Sequence, residues 1–327
     1  MKSLKDKILQ ILEDDLKQIE KALERNLSPN LELVRIIAEH ILFSGGKRLR
    51  PVLMILASRI CGRNGDDLYD YSIIFEYLHS ATLLHDDVVD GASLRRGKQA
   101  AYNVYGIAAS VLTGDFLLAR SLNISSSLRD PDIVDEVSKI TADMSQGEIH
   151  QLLNKGDFST TESLYYEIIK RKTAVLIEGA CRTGARIAKT DDIKVEKLGE
   201  YGYHLGIAFQ MADDLLDYVS DSKSLGKDCG ADIKEGKLTL PLIHVLDKCN
   251  REDKNFLKGE IEKGIKGDLI DFQKVFSIVE QYGGLDYTKD ISRKHVEKAK
   301  KALDIFPDSR EKDIFFMLAD YSIERSV

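Results

Sequence analysis

The sequence predicts an all-α protein, a bundle of many helices, on three observations. Only five prolines interrupt 327 residues, so long helices can run unbroken. Apolar residues recur at helical spacing, as at Leu33, Ile36, Ile37 and Ile41, and again at Val175, Leu176, Gly179 and Ala180. Alternating apolar and polar runs bounded by turn pairs, the mark of strands, do not stand out. With 43% hydrophobic residues the chain can build one large core. No low-complexity linker or short-period repeat divides it, so residues 1–327 read as a single domain.

The elements follow in order. Residues 1–27 read as an N-terminal amphipathic helix, too acidic for a signal or transit peptide. Breakers then cluster at SGGKRLRP (44–51), CGRNGDD (61–67), DGASLRRGK (90–98), NKGDFST (154–160) and SDSKSLGKDCGADIKEGK (220–237), with helices between them. No apolar run approaches the roughly 18 residues that span a bilayer, so no transmembrane segment is expected. The four cysteines form no CxxC pair and read as reduced thiols of a cytoplasmic protein. The net charge of −7, with no one-sided basic block, gives no sign of a nucleic-acid partner.

Two acidic motifs break the apolar pattern. DDVVD (86–90) recurs as DDLLD (213–217). On a helix, residues four apart share a face, so Asp86 pairs with Asp90 and Asp213 with Asp217. Like charges at that spacing cost a few tenths of a kcal/mol, and one such motif could be a solvated helix end. Two copies with apolar flanks such as Leu83, Leu84, Val88 and Val89 suggest a function. If the two helices face each other, six carboxylates converge on one cleft. Mg²⁺ suits such a set, because it binds through one or two carboxylates plus substrate phosphates. A diphosphate is then the natural occupant. Basic residues lie in glycine-containing loops beside the motifs: Lys47, Arg48 and Arg50 in GGKRLRP, Arg95 and Arg96, and Lys227 and Lys237. Glycines let backbone N–H groups approach an anion. His79 lies two turns before Asp86 on the same helical face.

These stretches resemble the trans-polyprenyl diphosphate synthases. DDVVDGASLRRG looks like the family's first aspartate-rich motif and FQMADDLLDYVSD like the second. GGKRLRP, HSATLLHDD, VLTGDFLLA, GEIHQL, KTAVL and GKDCGADIKEGKLTLPLIH also match, in the family's order. The resemblance runs from about residue 30 to the C-terminus. It implies an isoprenoid synthase-type bundle around a deep central cavity, usually a homodimer. It implies two substrates, isopentenyl diphosphate and an allylic diphosphate, and a product that partitions into membranes. Asp86, Asp90 and Asp213 would bind Mg²⁺, supported by Asp87, Asp214 and Asp217. Lys47, Arg50, His79 and Arg96 would hold isopentenyl diphosphate. Arg95, Lys172, Lys227 and Lys237 would hold the allylic diphosphate, with Thr173 and Gln210 beside the developing cation. The departed diphosphate would take the proton lost from the adduct.

Chain length turns on Ala81 and Thr82, which lie roughly 6–8 Å down the helix from Asp86 at 1.5 Å per residue. Short-chain members of the family place aromatic residues there as a floor. Small residues here imply a long all-trans product. Other readings are a short-chain synthase, a terpene cyclase, a di-iron bundle and a non-catalytic partner subunit. A cyclase would give GGKRLRP no second diphosphate to bind. A di-iron site wants two Glu-x-x-His pairs, and only Glu76–His79 fits. A partner subunit would tend to lose one aspartate motif.

Overall fold

In the computed structural model, residues 3–219 and 230–324 are described, and they are almost entirely helical. The chain divides into two compact units. The first comprises Met1–Thr141, Leu176–Gly199 and Ile305–Phe315; the second comprises Ala142–Val175, Glu200–Asp304 and Phe316–Val327.

In the first unit the N-terminal segment is two helices rather than the expected one: α1 (Leu4–Ile11) and α2 (Glu13–Leu27). Ser3 and Asp6 form a reciprocal capping box that starts α1. The chain turns at Leu12, whose φ of −98° and ψ of 5° leave the helical region. A second start follows, with Glu13, Asp14 and Asp15 complementing the dipole of α2. Then come α3 (Glu32–Leu42), α4 (Leu49–Ile60) and the central α5 (Asp67–Val89). Helix α5 is not amphipathic. Residues 72–78 are buried without a break, as expected of a helix enclosed by others.

The first unit also holds the only strands among the described residues, β1 (Leu94–Arg95) and β2 (Lys98–Gln99). Arg95 opposes Lys98, and the two-residue turn has Arg96 at φ 52° and Gly97 at 78°. Positive φ at both central residues matches the right-handed twist of a hairpin. After α6 (Ala101–Tyr105), α7 (Ile107–Ser127) packs along α5. Contrary to the sequence reading, α7 is long and apolar enough to cross a bilayer by length and composition. Its serines, threonine and glycine hide this from a search for unbroken apolar runs. Small residues let it approach α5 closely: a Cβ on Gly114 would lie 2.3 Å from the His85 ring.

The helix α8 (Pro131–Leu153) is followed by α9 (Glu162–Ile169) and then by a π-helical segment, Lys170–Ala174. Beyond it come α10 (Val175–Ile187) and the long α11 (Asp192–Val219). A four-residue turn of helix, Ala231–Lys234, precedes Leu240–Lys248, Arg251–Ile265, Phe272–Gln281, Gly284–Ala302 and Arg310–Glu324. The core of the second unit brings Tyr165, Ile169 and Ala174 against Ile207, Met211 and Leu215. Cys61, Cys181 and Cys249 are free thiols; Cys229 lies outside the described residues.

Candidate active site

The first unit sets the DDVVD motif at the C-terminal end of α5, with Asp90 as the C-cap. Charge is disfavoured there, because the helix dipole is negative at that end and the carboxylates repel one another. Asp86 and Asp90 are half-buried. Asp87 is 1% exposed and turned inward. Its Oδ1 accepts hydrogen bonds from Arg95 Nε at 2.7 Å and from Arg95 Nη2. Its Oδ2 is buried with no hydrogen-bond partner. The β1–β2 hairpin thus returns Arg95 to the motif from which the chain has just departed. Asp87, which lies between Asp86 and Asp90 in sequence, orients this arginine.

A cationic group lies in the same unit. Gly45 (φ 98°) and Arg48 (φ 49°) bend the GGKRLRP loop into the start of α4. A Cβ on Gly46 would stand 3.1 Å from the Arg48 guanidinium and 3.2 Å from that of Arg96, so only glycine leaves both arginines undisturbed. Arg96 reaches back to donate to the Gly45 carbonyl. Arg48 is structural: it is buried and donates to Glu76 at 2.7 Å, to Glu20 at 2.7 Å and to the Leu42 carbonyl at 2.6 Å. Arg50, in the first turn of α4, has a buried Nε without a hydrogen-bond partner. Burial lowers its guanidinium to about 10; Glu76 opposes this and Arg96 adds to it. Lys47 is exposed. Burial also holds His79 well below its ordinary value, assisted by Arg50, Arg96, Arg95 and Arg48. The imidazole is therefore neutral amid four guanidinium groups, an arrangement that an anion would stabilise.

The second unit holds the other motif on α11. Asp213 is exposed and Asp214 is buried. Asp214 Oδ2 accepts from the Tyr165 hydroxyl at 2.6 Å, and Oδ1 accepts from Gln210 Nε2 at 2.8 Å. Burial raises Asp214 to about 7, against the lowering effect of those two bonds, with Asp213 raising it further. The Asp217 carboxylate caps the turn at Ala231–Lys234, accepting from the N–H groups of Ala231 (3.0 Å) and Asp232 (3.1 Å). Asp232 is also raised well above its ordinary value, by burial and by Asp214 and Asp217. Lys237 lies beside it, 4.0 Å from Asp232 and paired with Glu235. Lys227 lies outside the described residues.

Lys172 and Thr173 both fall in the π-helical segment, a form of backbone that recurs at functional sites. The Lys172 amine pairs with Glu148 at 2.7 Å, and Thr173 Oγ1 donates to Gln210 Oε1 at 2.7 Å. Sequence reasoning missed Tyr165 and gave Glu148 no catalytic role. It weighed Glu76 only as half of a di-iron pair with His79 and missed its ion pair with Arg48, although a glutamate inside SIIFEYLHS is itself a signal. Ala81 is 2% exposed, with Leu78, Ile74 and Ile73 buried below it. Thr82 is half-buried and donates to the His79 carbonyl at 2.8 Å.

Among the described residues, no three His, Cys, Asp or Glu side chains form a group that could hold a metal by themselves. That fits an ion completing its shell with substrate phosphates. Within the first unit, the carboxylate oxygens of Asp86 and Asp90 and the orphaned Oδ2 of Asp87 are all-oxygen donors, the type a hard divalent cation such as Mg²⁺ takes.

Comparison with known proteins gives the family. Residues 31–279 match the polyprenyl synthetase family. An octaprenyl diphosphate synthase from Haemophilus influenzae is 35% identical over 98% of this chain and 97% of its own. A geranylgeranyl diphosphate synthase from Methanosarcina mazei is 34% identical over 88% of each. The crystal structure of a polyprenyl synthase from Caulobacter crescentus CB15, complexed with calcium and isoprenyl diphosphate, superposes with a TM-score of 0.92 at 35% identity, covering 99% of this chain and 98% of that one. With matching motifs, matching fold and similarity along nearly its whole length, the chain belongs to the polyprenyl synthetase family, the trans-polyprenyl diphosphate synthases, and is a prenyltransferase of the all-α isoprenoid synthase fold.

Proposed function

We propose that the chain condenses isopentenyl diphosphate head-to-tail with an allylic diphosphate, in a Mg²⁺-dependent reaction, to make a long-chain all-trans polyprenyl diphosphate. One observation carries the reading. Within the first unit, His79, on the helix that ends in Asp86 and Asp90, is held neutral by burial and by Arg50, Arg96, Arg95 and Arg48, and the buried Nε of Arg50 on α4 lacks a partner. An anion site separate from the metal-type carboxylates is what a second diphosphate substrate requires, and a cyclase has no use for it. The Caulobacter structure with calcium and isoprenyl diphosphate supports a divalent cation and a substrate of this class.

When bound at Asp86, Asp90 and Asp213, Mg²⁺ would neutralise charge developing on the leaving diphosphate. The chain's own residues do the rest. Arg95, Lys172 and Lys237 hold the allylic diphosphate; Lys172 exchanges its partner Glu148 for a phosphate oxygen. Lys47, Arg50, His79 and Arg96 hold isopentenyl diphosphate, with the neutral His79 donating a single N–H. As the allylic C–O bond breaks, the Thr173 oxygen meets the developing cation with its lone pairs. The isopentenyl double bond forms the new C–C bond, and the departed diphosphate accepts the proton lost from the adduct. Water must be excluded, because it would capture the cation.

Small side chains at Ala81 and Thr82 and the full-length similarity to an octaprenyl synthase support a long product. The geranylgeranyl synthase relative, which matches over less of the chain, supports a short-chain alternative. The free thiols at Cys61, Cys181 and Cys249 suit the cytoplasm. Exposed Ile107 (58%) and Leu112 (65%) on α7 support a homodimer through that helix. The purified chain with farnesyl diphosphate and labelled isopentenyl diphosphate should incorporate label with Mg²⁺ and lose incorporation in chelator. Absence of incorporation with Mg²⁺ at saturating substrates would reject the assignment.

A further inference from the structure

The side-chain bonds at Thr173 form a directed chain whose far end is a tyrosine. Thr173 Oγ1 donates to Gln210 Oε1 (2.7 Å), Gln210 Nε2 donates to Asp214 Oδ1 (2.8 Å), and the Tyr165 hydroxyl donates to Asp214 Oδ2 (2.6 Å). The order of donors follows from the ionised state of Asp214. When Asp214 is ionised its carboxylate only accepts, so the amide nitrogen of Gln210 faces it. The amide oxygen then faces Thr173, and the hydroxyl proton of Thr173 is committed to it. Both remaining lone pairs of Thr173 point away from Gln210.

If Gln210 were flipped, Nε2 would donate to Thr173, and the hydroxyl proton would be free to point into the site. A proton aimed at a developing carbocation repels it, whereas a lone pair attracts it. The difference between these states depends on Asp214 presenting Oδ1 to the amide. Tyr165 is 4% exposed and donates the hydrogen bond that the other carboxylate oxygen accepts. Without that hydroxyl, a buried oxygen would lack a donor and the carboxylate would turn to seek one.

The backbones on either side are already fixed. A Cβ on Gly206 would lie 2.6 Å from Ala174 Cα, so α11 and the π-helical segment meet at backbone contact. What remains free at this site is side-chain rotation, which the hydrogen-bond chain sets.

We propose that Tyr165 is a positioning residue for the reaction: through Asp214 and Gln210 it fixes the hydroxyl of Thr173 with its lone pairs toward the allylic carbon. This rests on the reading that Thr173 meets the developing cation. Tyr165 touches no substrate itself.

The test is a double-mutant cycle with a binding readout beside the kinetic one. Tyr165→Phe keeps the ring and removes the donor. It should lower kcat by roughly tenfold, the scale of one net hydrogen bond, while KM for either diphosphate changes by less than about twofold. In a Thr173→Val background, Tyr165→Phe should cause no further loss. Calorimetry should compare a diphosphate carrying an ammonium in place of the allylic cation with its neutral isostere. The affinity ratio should fall in Tyr165→Phe by a similar factor, and be equally low in Thr173→Val with or without Tyr165. Replacing Tyr165 by 4-aminophenylalanine, which keeps a donor at the same ring position, should restore both readouts; it serves as the folded control if Tyr165→Phe melts below the assay temperature. Equal kcat and ratio for Tyr165→Phe and wild type, additive losses in the cycle, or failure of the aminophenylalanine variant to recover would each overturn the role. A Thr173→Val enzyme unchanged in both readouts would instead remove the role of Thr173 itself.

Discussion

At the level of single residues, the basic groups of the first unit divide into those that build the protein and those left for a ligand. Arg48 is consumed by Glu20, Glu76 and the Leu42 carbonyl, whereas the buried Nε of Arg50 has no partner. In sequence the two stand two positions apart and look alike. Only the packing of α2 and α5 around Arg48 separates them, and that is a tertiary fact. Arg50→Ala and Arg96→Ala should therefore raise KM for isopentenyl diphosphate by tenfold or more, with a much smaller change for the allylic substrate. Initial-rate kinetics with each substrate varied in turn measure this; equal effects on both would contradict the division of sites. Ala81→Phe should shorten the product to farnesyl or geranylgeranyl diphosphate. Because Ala81 is already buried, overpacking adds roughly 1–3 kcal/mol of destabilisation. Thermal melting must accompany the product analysis, and unchanged product length from a folded variant would remove Ala81 from the path of the tail.

At the level of elements, the acidic end of α5 was legible because spacing alone places Asp86 and Asp90 on one face. The inward turn of Asp87 was not legible: it depends on Arg95 returning through a hairpin of two-residue strands, too short to leave an alternating pattern. The break between α1 and α2 has no glycine or proline to announce it. The π-helical segment is likewise silent in sequence, since packing on both sides defines it. A Cβ on Gly147 would stand 2.9 Å from the backbone nitrogen of Lys172, as Gly206 crowds Ala174. Gly206→Ala should push α11 and this segment apart, lowering stability by about 1–3 kcal/mol. It should also lower kcat beyond the effect of Thr173→Val, because Lys172 moves as well. Denaturant unfolding and steady-state rates test this together. A variant with wild-type stability and rate would show that the contact is not restrictive.

For the molecule as a whole, composition, helical period and the ordered motifs were enough to indicate the helical fold and the family. They could not show which carboxylates are committed to the protein. Asp87, Asp214 and Asp217 already serve Arg95, Tyr165 with Gln210, and the backbone at Ala231 and Asp232. In solution the chain should be a homodimer. Light scattering at micromolar concentration should give twice the chain mass, and Leu112→Arg should reduce it to one; a monomeric wild type would contradict this assembly. The central claim is elongation to a long chain. Its most direct test is the length of the products released from farnesyl diphosphate and excess isopentenyl diphosphate with Mg²⁺, separated by reversed-phase chromatography after dephosphorylation. All-trans alcohols in the heptaprenyl to decaprenyl range are the predicted result, and products that stop at geranylgeraniol would contradict it.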